Sequence, residues 1–204
     1  MNKLGEMMKR RQIAFLMLLV LAASFGGCKK EKTEEQPVAT ITAVDTTPTG
    51  GTVATTTVPL NEADSKFILD AATLLLGEIA YASTADDLAT TVKVKAFGHL
   101  LREDHASALA ELRKLADDHH VVLPTQATAA VITDNETLSK LKGGEFDRVF
   151  LQHVIDDHNA MILLLDAEAA VVHDDDLRQW VAKIRPKLQN HVTKAQQLMA
   201  DVKR

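Results

Sequence analysis

Cysteine is nearly absent from this chain of 204 residues, which contains one, Cys28. An internal disulfide is therefore excluded, and the stability of the fold must come from the packing of a hydrophobic core. Glycine-rich loops that follow a predicted strand are also lacking, so the sequence contains no nucleotide-binding motif. No stretch alternates apolar and polar residues convincingly, and for that reason no β-strands are predicted.

The first 27 residues have the pattern of an export signal. Four basic residues lie among the first eleven, and an apolar run from Ile13 to Phe25 follows that is too short to span a bilayer comfortably. The run ends at Phe25-Gly26-Gly27-Cys28, which resembles the lipobox of bacterial lipoproteins. This resemblance implies cleavage before Cys28 and lipidation of its thiol, whereas a plain secretory signal would leave Cys28 free. Because Lys29 rather than Asp follows the cysteine, we expect delivery to the outer membrane, facing the periplasm.

Positive charge becomes scarcer once this signal is removed. The formal net charge changes from −5 for the whole chain to −8 for residues 28–204, since residues 1–27 contain four basic residues and one acidic residue. An acidic surface repels phosphate backbones, so nucleic-acid binding is not expected. A membrane, reached through the lipid on Cys28, is the partner that this end of the chain implies.

The rest of the chain divides into a tether and one domain. Residues 28–61 are rich in Thr, Pro, Gly and charged residues, with Val and Ile scattered singly. Such a segment cannot bury enough apolar surface to offset the entropy lost on ordering, and we expect it to be a flexible tether. Residues 62–204 remain, which is a suitable length for a single hydrophobic core.

Four long segments of that domain repeat apolar residues at intervals of three and four, which is the helical period. The segments run over about 64–88, 94–119, 145–172 and from the acidic turn at 174–176 onward. The connection between the second and third is about 25 residues long and could contain one or two helical turns between Thr133 and Leu141. Helices with one apolar face each most simply form an all-α four-helix bundle.

Acidic residues and histidines interrupt the apolar faces of all four predicted helices. In chain order they are Glu78, then Asp104 and His105, then Asp157 and His158, with Glu168 further along, and finally His191. A phenylalanine lies eight residues before both His105 and His158, which makes a weak internal repeat. In an antiparallel helix pair, residues equidistant from the turn lie at the same height along the bundle, which we call the equal-height rule. Glu78 and His105 satisfy this rule for the first turn, and His158 and His191 for the last, so we expect all four in the core near mid-height.

A buried carboxylate or imidazole without a partner costs on the order of several kcal/mol, so these groups must pair or bind something. In the interpretation that we favour, Glu78 and two or three of the histidines bind a transition metal, with Asp104 and Asp157 as further ligands or as partners of the ligands. The share of imidazole favours zinc or copper, with iron as an alternative. In the other interpretation, the same groups form an internal hydrogen-bond network that contains no metal.

Residues in all four helices also resemble one bacterial family. They are Phe67 with Gly77-Glu78, Phe97 with Asp104-His105, Phe146-Asp147 with Asp157-His158, and Pro186 with Leu188 and His191. On these residues, about 62–202 of the chain is similar to the domain of unknown function numbered 4142, which is placed with ferritin-like four-helix bundles and is commonly exported. The resemblance implies a fold and an export route, and it implies no activity.

The di-iron site of ferritin-like enzymes would need a glutamate three residues before each of two histidines. The residues that stand three before His105, His158 and His191 are Arg102, Ile155 and Leu188. The ferroxidase motif is therefore absent, and iron chemistry should not be inferred from the fold. An enzyme is accordingly the less favoured class, and a metal-dependent oxidase ranks last among our interpretations.

We therefore expect a lipid-anchored cell-envelope protein whose buried centre binds a metal ion, in metal handling or envelope stress. The alternative is a structural or interaction module whose core acid and histidine network fixes the helix register. Metal analysis with His105→Ala and His158→Ala distinguishes the two hypotheses.

Overall fold

The structure, a computed structural model, describes residues 59–202, which form five α-helices and no β-strand. The helices are α1 (Glu62–Leu88), α2 (Val92–Asp118), α3 (Ala129–Ser139), α4 (Gly143–Ala169) and α5 (Asp175–Val202). The four long helices are those that the apolar periodicity predicts, so the prediction of an all-α bundle with a long connection before its third long helix is confirmed. The predicted signal peptide, the lipidation site at Cys28 and nearly all of the predicted tether lie outside the described residues.

The long helices pair as two hairpins, α1 with α2 and α4 with α5. Side-chain caps begin two of these helices, because a polar side chain can accept from a backbone N–H that has no partner in the first turn. At the start of α1, Asn61 accepts from the N–H of Asp64 at 2.8 Å. At the start of α5, Asp174 accepts from the N–H of Leu177 at 2.8 Å.

The connection between the hairpins contains a longer helix than the sequence indicates. Instead of one or two turns starting near Thr133, α3 begins after Thr128, whose hydroxyl accepts from the N–H of Val131 at 3.3 Å. The prediction placed the cap too late because Ala129 and Ala130 carry no periodic signal. The helix packs on α1, where Asn135 donates from Nδ2 to the carbonyl of Ala80 at 3.2 Å.

Two buried aspartates hold the hairpins together in a reciprocal manner. Asp147, in the first turns of α4, accepts from the N–H groups of Thr90 and Thr91, both at 2.9 Å, and from the hydroxyl of Thr91. Asp64, in the first turn of α1, accepts from the N–H groups of His173 and Asp174 at 3.2 and 3.1 Å. Each hairpin thus contributes an aspartate that binds the turn of the other, which fixes the heights of the four helices relative to one another.

The core between the hairpins is apolar at both ends of the bundle. Near the α1–α2 turn it contains large buried side chains, among them Phe97, Phe146, Phe150 and Leu151. Near the other end, Trp180 packs edge-on against Phe67 and donates from its indole nitrogen to the carbonyl of Ala108 at 3.2 Å. Glu78, His105, His158 and His191 lie between these two apolar regions, whereas Glu168 is buried near the end of α4.

Helix α1 is the one described helix that is long and apolar enough to cross a membrane, with a mean hydropathy of 1.3 in its most apolar window. Half of that window, 50%, is buried inside the bundle, as expected for a core helix. Asp64 and Glu78 are buried on its inner face. We therefore assign α1 to the core of the bundle.

Candidate metal centre

Three histidines from three helices meet in the middle of the bundle. His105 of α2, His158 of α4 and His191 of α5 are 2%, 0% and 4% exposed, so all three imidazoles are inside the protein. Their ring centroids are 5.1 to 5.3 Å apart, and each ring can offer one nitrogen such that all three nitrogens lie within 4.8 Å of one another. We call these residues the three-histidine group.

Carboxylates face the outer nitrogens of two of these rings. Nε2 of His191 lies 3.0 Å from Oδ2 of Asp104, whose other oxygen accepts from Lys187 at 3.1 Å. Nδ1 of His158 lies 3.6 Å from Oε2 of Glu78, so its contact with the carboxylate is longer. An ionised carboxylate can only accept hydrogen bonds, and it therefore favours the tautomer whose N–H points toward it.

That choice of tautomer leaves lone pairs in the centre of the group. Nε2 of His158 and Nδ1 of His191 are 3.2 Å apart, and with both outer nitrogens protonated neither inner nitrogen has a proton to share. Nε2 of His105 is also buried and has no hydrogen-bond partner among the described residues. A buried acceptor without a donor is costly, so the arrangement favours a cation or a shared proton between the rings.

The surroundings oppose protonation of all three rings. Burial, with the nearby His191 as a smaller cause, lowers the pKa of His105 to about 3. Burial and the neighbouring histidines also hold the pKa of His158 well below its usual value. The pKa of His191 is lowered by burial, although its hydrogen bond to Asp104 opposes the shift. The rings are accordingly neutral at pH 7, which is the form in which imidazole binds a metal.

Asp104 stays ionised although it is partly buried. Burial acts to raise its pKa, but hydrogen bonds from His191 and Lys187 outweigh that effect, and the pKa lies below its usual value. The negative charge that orients His191 is therefore present at neutral pH.

A second polar group lies beside the first and shares a contact with it. Glu78, His153 and Asp157 can each offer one ligand atom such that the three atoms lie within 4.8 Å of one another. His153 contacts Glu78 through Nε2 and Asp157 through Nδ1, both at 3.6 Å. The ring of His153 also packs against Tyr81, with 4.0 Å between the ring centroids. We call these three residues the Glu78–His153–Asp157 group.

The two groups form one line of polar contacts across the bundle. From Lys187 the line passes through Asp104, His191, His158, Glu78 and His153 to Asp157. Its steps are between 3.0 and 3.6 Å long, and its most exposed members are Lys187 and Asp104 at one end and Asp157 at the other. Glu78 is the residue through which the two groups meet, since its two oxygens face histidines of different groups.

The structure brings the six residues predicted for the metal site close together but not around one point: five belong to the two groups, and Asp104 lies beside His191. The histidines meet as the equal-height rule predicts, with His158 and His191 in direct contact. Glu78 contacts the outer nitrogen of His158, where it could orient the ring, and Asp104 does the same for His191. Asp157 belongs to the Glu78–His153–Asp157 group.

His153 is the residue that the predicted site omits. Its spacing of four from Asp157 is a signal for a shared helix face, and the structure confirms the contact between them. The equal-height rule considers one ligand per helix, and α4 already supplies His158. His99, by contrast, is exposed and pairs with Asp86 and Glu103 at the surface.

Residues 50–198 match the family model described as Domain of unknown function (DUF4142). The chain belongs to this family. The resemblance found in the sequence is therefore confirmed, and the family name carries no activity. No curated protein matches the sequence.

Among solved structures, this DUF4142 chain is similar to one described as "Crystal structure of DUF305 fragment from Deinococcus radiodurans". The TM-score is 0.64 at 8% sequence identity, and the likeness covers 71% of this chain and 99% of that one. At this identity the likeness shows the fold alone. It agrees with the helical bundle and says nothing about the residues of the centre.

Proposed function

We propose that this DUF4142 protein binds a transition-metal ion between His105, His158 and His191. The observation that carries the proposal is the pair of inner nitrogens of His158 and His191, which are 3.2 Å apart while their outer nitrogens face carboxylates. Histidine ligands in metal sites usually donate their other N–H to a carboxylate or a carbonyl, which fixes the tautomer and the ring orientation. Asp104 and Glu78 are placed for that role.

The distances suit a small divalent ion. Two nitrogens bound to tetrahedral zinc at about 2.0 to 2.1 Å lie about 3.3 to 3.4 Å apart. The separation of 3.2 Å between His158 and His191 is close to that value, and Nε2 of His105 is the buried third donor. Three neutral imidazoles suit zinc or copper best, with iron as the alternative.

The nearby charges offset the burial of a dication. Neutral imidazoles leave the ion's charge uncompensated, and a bare charge in a protein interior is costly. Asp104 and Glu78 provide two carboxylates just outside the three ligands, where each contacts the outer nitrogen of a different histidine. Because three protein ligands leave a fourth position open, the site could release its ion to a partner, which suits a role in metal handling or envelope stress.

The test is a zinc titration by calorimetry, with metal analysis, on the chain without its predicted signal peptide and without a histidine tag. We expect tight binding to be lost in His105→Ala, because one of three ligands is removed. In Asp104→Asn we expect binding weakened by about 10- to 100-fold, as is usual for residues that orient a ligand. His99→Ala is the matched control, since this histidine also lies on α2 but is exposed. Equal affinities in His105→Ala and His99→Ala would refute the proposal.

A structural role is the second candidate, and the continuity of the polar line favours it. The line of contacts from Lys187 to Asp157 joins all four long helices without an ion, so the same residues could fix the register of the helices. In that case no metal binds, so added zinc should raise the unfolding free energy of neither the unaltered chain nor His105→Leu. Chemical unfolding of His105→Leu, with and without added zinc, separates the two candidates.

We further propose that the domain is anchored by a lipid on Cys28 and faces the periplasm from the outer membrane. The sequence from Phe25 to Cys28 and the following Lys29 support this location. We expect Cys28→Ser to move the protein from the membrane fraction to the soluble fraction of the cell envelope. A variant that stays in the membrane fraction would exclude lipidation as the anchor.

A further inference from the structure

The Glu78–His153–Asp157 group has a set of ligand atoms unlike that of the three histidines. It combines two carboxylates with one imidazole, whereas the neighbouring group has nitrogen ligands alone. Oxygen ligands favour harder cations such as Mn²⁺, while imidazole suits zinc and copper. We propose that this group is a second cation site, selective for a hard divalent ion.

The three side chains lie near enough to one another to share an ion. One ligand atom from each residue lies within 4.8 Å of the other two. Three ligands at about 2.2 Å from one cation lie roughly 3.1 to 3.8 Å apart, so side-chain shifts of up to about 1 Å would close the group. Both carboxylates reach His153, from α1 and from one turn further along α4.

The second site lies nearer to solvent than the first. The side chains of Glu78 and His153 are each 7% exposed and that of Asp157 is 17% exposed, whereas the side chain of His158 is 0% exposed. Asp157 therefore gives this group access to water, which a hard cation needs, because it keeps part of its hydration shell. The site does not depend on an ion at the three histidines.

The side chain of Glu78 takes part in both sites. Its Oε1 faces His153 of the second site, and its Oε2 faces the outer nitrogen of His158. A test that removes Glu78 would therefore disturb both sites. Asp157 contacts His153 and lies outside the three-histidine group, so it is the better residue for a selective change.

Mn²⁺ is the probe, because its electron paramagnetic resonance signal falls when the free aqueous ion becomes bound. We expect the chain without its predicted signal peptide to bind one Mn²⁺ and Asp157→Asn to bind it at least 10-fold more weakly. The matched control is Asp156→Asn, because Asp156 is the adjacent carboxylate on α4 and bonds to Gln152 at 2.9 Å instead. His153→Gln provides a second change of similar size, and circular dichroism verifies that each variant is folded.

The same variants separate this inference from the proposed function. His105→Ala should keep Mn²⁺ binding and lose tight zinc binding, whereas Asp157→Asn should lose Mn²⁺ and keep tight zinc. Absence of Mn²⁺ binding in the unaltered chain would overturn the second site, as would equal Mn²⁺ affinities in Asp157→Asn and Asp156→Asn. Neither result affects the zinc titration at the three histidines.

Discussion

Asp64 and Asp147 perform the same structural task at opposite ends of the bundle, but their surroundings differ. Asp147 accepts three hydrogen bonds from the α1–α2 turn, which use both of its oxygens. Asp64 accepts two from the α4–α5 turn, both on Oδ2, while its Oδ1 is buried without a hydrogen-bond partner among the described residues. The side chain of Asp147 is thus fully hydrogen-bonded, whereas that of Asp64 is not. We call these two sets of hydrogen bonds the Asp147 tie and the Asp64 tie.

A second carboxyl explains the difference. Glu168, near the end of α4, is buried, and its Oε1 also lacks a hydrogen-bond partner in the described part of the chain. Burial, together with the negative charge of Asp64, raises the pKa of Glu168 from 4.5 to about 7. The comparison teaches that the aspartate holding the turn before α5, the helix of His191, faces a second negative charge once Glu168 loses its proton.

The largest expected effect on stability comes from removing the Asp147 tie. Asp147→Ala leaves two backbone N–H groups and a hydroxyl without their acceptor, and each lost partner costs about 1 to 3 kcal/mol. We expect a loss of unfolding free energy of about 3 kcal/mol or more, against about 1 to 2 kcal/mol for Asp64→Ala, which also removes a repulsive contact with Glu168. Urea unfolding at pH 7 measures both. Equal losses would mean that the two ties do not differ.

The next effect concerns pH. A carboxyl whose pKa is higher in the folded state stabilises the fold at low pH, and this contribution is lost as the pH rises. For Glu168 the loss should fall between about pH 4.5 and 7, the two pKa values that apply to the unfolded and folded states. We expect Glu168→Gln to remove this slope and to be more stable at pH 8 by about 1 to 2 kcal/mol, which allows for solvent screening.

Thermal unfolding between pH 4 and 8 is the measurement for this prediction, at roughly 2 to 8 °C per kcal/mol for domains of this size range. Glu136→Gln is a suitable control, since Glu136 is exposed on α3. If the control and Glu168→Gln change the profile equally, the buried carboxyl has no special part in the acid dependence.

The sequence predicts the helices and most of the centre because both follow simple periodic rules. Apolar spacing identifies the four long helices, and equal distance from a turn identifies the contact between His158 and His191. It does not predict how Glu78 divides its oxygens between two histidines, since that depends on side-chain rotamers rather than on helix height. One site was therefore expected where the structure has two groups.

The reciprocal ties were also beyond the sequence rules. In the sequence, Asp64 stands at the start of its own helix, and Asp147 is one of the residues that resemble the family. Both side chains instead bind the turn of the other hairpin, more than 50 residues away along the chain. Local capping rules describe hydrogen bonds within a few residues, so they cannot find an acceptor that serves a distant turn.

The smallest effect would divide the pKa shift of Glu168 between its two causes. Asp64→Asn removes the neighbouring charge but keeps a carbonyl oxygen that can accept from His173 and Asp174. Because burial is the larger cause, we expect the upper end of the pH range over which stability is lost to move from about 7 toward 4.5 without reaching it. Thermal unfolding across pH measures where the loss ends. An upper end that does not move would show that the charge of Asp64 does not act on Glu168, and an upper end near 4.5 would show that burial contributes nothing.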